Sequence, residues 1–119
     1  MIAIVTAAVF FSGMGVYGLV APAALVRPFG IQVTGAHART EVRAVYGGFG
    51  LAFAGLLVVA AIDAEIRRGA VIAVAVALAG MAAGRLVGRV FDRPAAFYPT
   101  WFYFWAELVL AVALWLAVD

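Results

Sequence analysis

Few side chains in this sequence can do chemistry, and those that can gather at similar depths in long apolar runs. Glu107 lies about eight residues into the last run, roughly 12 Å from its nearer border at ~1.5 Å per residue. Thr100, Tyr103 and Glu107 recur at i, i+3 and i+7, so they share one helical face. Arg85 and Arg89 share a face of the preceding run, with Arg85 about 9 Å from the same border. Arg39, Arg43, Tyr46 and Gly50 form a third stripe, with Glu41 beside it, and Tyr17 lies at comparable depth in the first run. Ionisable groups inside apolar spans are costly and face a partner or a cavity. Opposite charge and matched depth favour Glu107 with Arg85.

Three kinds of chemistry fit this cluster of Tyr17, Glu41, Arg43, Tyr46, Arg85, Arg89, Tyr103 and Glu107. It can be a structural clamp, in which buried Glu–Arg pairs fix helix register. It can be a pocket whose Arg fork binds an anionic lipid headgroup or a small anion. It can also be a transport site built on Glu107, although the adjacent guanidinium counts against proton carriage.

Catalytic, metal and cofactor chemistry finds no support. His37 stands without a second His or any Cys, which makes a poor metal ligand set. Ser12 is the only serine and has no evident base. The run Tyr46-Gly47-Gly48-Phe49-Gly50 is glycine-rich, but no strand precedes it and no Lys-Ser/Thr follows. The expectation is therefore a protein that is not an enzyme, with no catalytic residue, metal or cofactor.

The elements that position these residues follow from composition. The chain has 119 residues, enough for one domain, and 68% of them are hydrophobic, against roughly 45–50% in soluble domains. Mean hydropathy is +1.15. A soluble fold this small cannot hide that much apolar surface, because roughly a third of what the unfolded chain exposes still faces water. The solvent for most of the chain is expected to be lipid. The net charge of +2 comes from eight Arg, no Lys and six acids, too little for a polyanion-binding face, so no nucleic-acid partner is expected.

Apolar runs of about 20 residues suffice to cross a bilayer. Four such spans are expected, over about 2–26, 42–62, 69–91 and 100–118, with Pro22 marking an end or kink of the first. A retained span fits the first run better than a signal peptide, which would carry a basic n-region and a shorter apolar core. Pro94 and Pro99 punctuate the last turn. Short connections imply an all-α, antiparallel, up-down-up-down four-helix membrane bundle over residues 1–119. Arg27, Arg39, Arg43, Arg85, Arg89 and Arg93 lie near the first and third connections, against Arg67 and Arg68 near the second. That bias puts the first and third connections in the cytoplasm and both termini outside, in a cell inner membrane.

Small residues at helical spacing let membrane helices approach closely. The third span carries Ala73, Ala77, Gly80, Gly84 and Gly88; the second carries Ala44, Gly48 and Ala52, plus Gly47, Gly50 and Gly55; the first carries Gly13, Gly15 and Gly18. The third-span stripe is expected to pack helix to helix within the bundle. The alternative is that it faces another subunit in a homo-oligomer.

The segments RTEVRAVYGGFGLAFAGLL (39–57) and GRLVGRVFDRPAAF (84–97) resemble a bacterial family of small four-helix membrane proteins of unknown function. The architecture is also similar to that of DoxX-like proteins, some of which are accessory subunits of membrane redox enzymes. The size resembles that of small multidrug exporters, but their first-helix glutamate has no counterpart in the first span here. The resemblance implies a polytopic membrane protein with lipid, further copies of itself or other membrane subunits as partners. It supplies no activity. The leading expectation is a non-enzymatic, homo-oligomeric bundle that binds lipid headgroup or a small anion, or scaffolds a complex. A small transporter or channel using Glu107 comes second.

Overall fold

A computed structural model describes residues 1–93 and 96–118. Pro94, expected to mark a turn, and the terminal Asp119 lie outside the described residues. The described residues are predominantly helical and contain no strand. Four of its helices are long and apolar enough to cross a membrane: α1 (Ile2–Val20), α3 (Ala36–Ile62), α4 (Ala64–Phe91) and α5 (Phe97–Leu116). A short helix, α2 (Pro22–Val26), follows α1.

The boundaries differ from the expected spans for identifiable reasons. The first expected span ran to residue 26, but the helix ends at Val20. Ala21 leaves the helical region, with φ −135° and ψ 65°, because a proline disfavours helical geometry in the residue before it. Pro22 then opens α2 at its first position, where its missing N–H costs nothing. Leu25 and Val26 turn inward and pack with Val42. A single 3₁₀ turn, Arg27–Phe29, ends at Gly30 with φ +76°, a left-handed conformation glycine adopts without strain.

Helices α3 and α4 begin before the expected positions 42 and 69, at Ala36 and Ala64. Charge marks where apolar surroundings end, not where a helix ends, and Arg and Glu are good helix formers. Asp63 caps α4: its Oδ1 accepts a hydrogen bond from the backbone N–H of Glu65 at 2.9 Å. Two arginines close helix C-termini. Arg43 donates from Nε to the Leu19 carbonyl at 3.0 Å. Arg67 donates to the carbonyls of Ala60 and Ala61 at 2.8 and 3.1 Å. Both satisfy carbonyls that have no partner within their own helix. Within α3 the segment Arg43–Gly48 winds as a π-helix. Near the start of α5, Tyr98 departs from helical geometry, and regular α-helix runs from Phe102.

Helix α1 lies along α3, α4 lies along both α3 and α5, and α5 returns to touch α1. The core between them comprises Ile4, Ala7 and Phe11, then Ala54 and Leu57, then Val71, Val74, Ala75 and Leu78, and finally Leu110, Ala111 and Leu114. Large apolar side chains also point outward: Ile2, Ile62, Phe91 and Leu116 are 85, 81, 79 and 78% exposed. An apolar exterior of this kind suits lipid as its solvent.

The glycines that bring helices together are those of α1 and α3. A Cβ on Gly18 would lie 2.8 Å from the backbone nitrogen of Gly47, and one on Gly50 would lie 3.1 Å from the Gly15 Cα. By contrast, Cβ atoms on Gly80, Gly84 and Gly88 would meet open space, and Ala73, Gly80 and Gly84 are exposed. The expectation that the stripe Ala73, Ala77, Gly80, Gly84, Gly88 packs inside the bundle is corrected. Helix α4 turns its bulkier stripe inward, with Val71, Val74 and Leu78 fully buried, because those side chains fill the space between four helices and glycines cannot.

Candidate functional site

The centre of the site is a buried ion pair. Arg85 donates from Nε to Oε1 of Glu107 at 2.8 Å and from Nη2 to Oε2 at 3.0 Å. This two-pronged geometry is the strongest form a guanidinium–carboxylate contact takes. Glu107 is fully buried, whereas the Arg85 side chain keeps 22% of its surface exposed. Arg85 also stands over two rings, 5.6 Å from the centroid of Phe29 and 5.5 Å from that of Tyr103. Those rings lie 5.5 Å apart. Aromatic faces attract a cation, so the guanidinium is held at its edge by the carboxylate and flanked by π-systems. Tyr98 extends this wall, 6.1 Å from Tyr103.

Local folding explains who arrives. Arg85 sits three residues after Ala82, a buried position on α4, so it leaves the helix near its core-facing side. Glu107 lies three residues after Phe104 and three before Leu110, both buried, and so falls on the inward face of α5. Phe29 comes from the 3₁₀ turn after α2, carried there by the break at Ala21.

The remaining residues expected in the cluster divide. Tyr46 is half-buried and lines a cavity with Met14, Leu25, Phe29, Met81, Arg85, Tyr103 and Glu107. Arg43 is exposed and engages the end of α1 instead of the carboxylate. Arg89, Glu41 and Tyr17 are exposed, and Tyr17 lies outside the cavity wall. Glu41 and Arg43 point away because α3 has one inward face, and that face is taken by Gly47 and Gly50. Among the described residues, no group of three His, Asp or Glu side chains is placed to hold a metal ion.

A family model described as a domain of unknown function, DUF4345, matches residues 1–118. The chain belongs to this family. Neither a curated protein nor a solved structure matches it.

In this DUF4345 chain the cavity beside the ion pair is small, with about 20 Å³ open to the centre of a water molecule. That is room for about one water. Next to it lies a groove of about 440 Å³ lined by Phe11, Met14, Ala44, Val45, Tyr46, Phe49 and Met81. Met14, Tyr46 and Met81 line both spaces. The two are thus neighbouring compartments, one larger and open to the side, the other small and walled by the Arg85–Glu107 pair among mostly apolar side chains. Sequence reasoning missed the groove and missed Phe29. A side pocket between helices depends on their relative rotation, and a phenylalanine in a loop carries no periodic signal.

Proposed function

We propose that this chain is a multi-pass membrane protein without enzymatic activity that binds a membrane amphiphile from the side. The tail occupies the groove of Phe11, Met14, Val45 and Phe49, and the polar end sits towards Arg85. The observation that carries this reading is the adjacency of groove and cavity, which share Met14, Tyr46 and Met81 in their walls. Apolar enclosures of a few hundred Å³ with a few convergent polar groups are the usual form of a small-molecule site. The bundle in this reading is antiparallel, with both termini outside and the arginine-rich end in the cytoplasm. The outward stripe Ala73, Ala77, Gly80, Gly84, Gly88 supports association of copies, or of other membrane subunits, along α4. Helix order similar to DoxX-like proteins leaves an accessory role in a membrane redox complex as a lesser reading. Transport on Glu107 has less support, since both carboxylate oxygens already accept bonds from a guanidinium that cannot lose its proton.

Native mass spectrometry of the protein released from membranes tests the binding reading. The wild type should carry a small adduct, and Ala44→Trp, which fills the groove, should lose it while keeping its fold. A bare wild type, or an unchanged adduct on Ala44→Trp, would overturn the reading.

A further inference from the structure

The chemistry around Arg85 defines what the polar end of the ligand is. We infer that the amphiphile is uncharged and presents one hydrogen-bond acceptor oxygen, such as a carbonyl, to Arg85. This inference rests on the binding reading above and names the ligand class for that site.

Three observations carry it. The first is charge: Arg85 and Glu107 neutralise one another at 2.8 Å. An anion entering here would compete with a fully buried carboxylate for the same guanidinium and be repelled by it. The second is size. About 20 Å³ takes one water-sized group, which a carbonyl oxygen matches and a phosphate with its several oxygens exceeds.

The third is hydrogen bonding. A guanidinium has five N–H donors and no acceptor. Nε and Nη2 serve Glu107, while Phe29 and Tyr103 stand 5.6 and 5.5 Å from the guanidinium carbon. No hydrogen bond engages Nη1 among the described residues, yet no unsatisfied side-chain nitrogen or oxygen among them is sealed from solvent. Nη1 is therefore an open donor on a residue that lines the cavity. Glu107 has no exposed surface, and both its oxygens already accept from Arg85, so the carboxylate is not offered to a ligand. Tyr46 lines both compartments. The groove wall is otherwise aliphatic, aromatic and thioether, which suits an uncharged chain or ring.

The test is a native mass spectrometry titration of delipidated protein in mild detergent. The probes are a long-chain methyl ketone, the alkane of equal length and the fatty acid anion of equal length. The ketone should bind at least about tenfold more tightly than either of the others, the worth of one hydrogen bond from a charged donor. Arg85→Lys keeps the positive charge opposite Glu107 but replaces the three-nitrogen fork with a single nitrogen, which is left engaged by the carboxylate. It should lose that tenfold advantage and leave alkane binding unchanged. Equal binding of ketone and alkane would overturn the acceptor-oxygen inference while sparing the groove. Tighter binding of the fatty acid anion would overturn it in favour of an anion site. Failure of all three probes to bind would remove the binding reading itself. The comparison among probes is made on the wild type, so the inference stays testable even if Arg85→Lys does not fold.

Discussion

Separating Arg85 from Glu107 should be among the most damaging single changes this chain can suffer. Arg85→Met removes both N–H donors and leaves Glu107, with no exposed surface, without its bonds at 2.8 and 3.0 Å. Breaking a buried pair in this way costs about 3–5 kcal/mol. Glu107→Gln leaves the guanidinium charged, since arginine does not deprotonate. The glutamine oxygen can still accept one of the two bonds, and Arg85 keeps 22% of its surface exposed, so about 2–3 kcal/mol is expected. If the two effects were independent, the double variant would lose about 5–8 kcal/mol, the sum of those figures. Because each single cost is mostly that of an orphaned partner, the double variant should instead fall short of the sum by at least about 2 kcal/mol. Unfolding by titrated denaturing detergent, followed by helical circular dichroism, measures all four corners of the cycle. Small, strictly additive losses would refute the argument that this pair clamps α4 to α5.

Other consequences follow from the glycines, the helix ends and the arginine distribution. Gly18→Ala forces a Cβ to 2.8 Å from the Gly47 nitrogen and should destabilise by about 1–3 kcal/mol. Gly84→Ala meets open space and should be neutral or stabilise by roughly 0.5–1 kcal/mol; the same unfolding titration compares the two. Arg67→Ala frees the carbonyls of Ala60 and Ala61, and faster hydrogen exchange is expected in the amides of residues 60–65. A reporter fused after Asp119 should be active outside the cytoplasm and one inserted between α4 and α5 inside, and the reverse pattern would overturn the orientation.

Legibility of the sequence varied with the kind of signal. Long uncharged runs make helices wherever they occur, so four long apolar helices were readable from hydropathy alone. The Arg85–Glu107 contact was readable because few other buried charges competed for either residue. Helix starts at Ala36 and Ala64 were not, since charged residues such as Arg39, Glu65 and Arg67 signal water while remaining helical. The packing stripe was misjudged for a related reason. With 13 glycines in the chain, small-residue spacing occurs on three helices, and only tertiary rotation decides which stripe faces a neighbour. Gly18 and Gly47 meet backbone to backbone while Gly84 faces outward. Arg43 shares a helical stripe with Tyr46, but the unsatisfied Leu19 carbonyl at the end of α1 captured it.

The central claim is that a membrane amphiphile enters between α1, α3 and α4 and ends beside Arg85. Photolabelling in the native membrane, with a photoactivatable uncharged long-chain ketone, tests it most directly. Peptide mapping should place the label on Met14, Met81 and the stretch from Ala44 to Phe49, and excess unlabelled ketone should compete it away. Label spread evenly over outward residues such as Val9 and Val109, or concentrated between Val76 and Val112 on the α4–α5 face, would contradict the account.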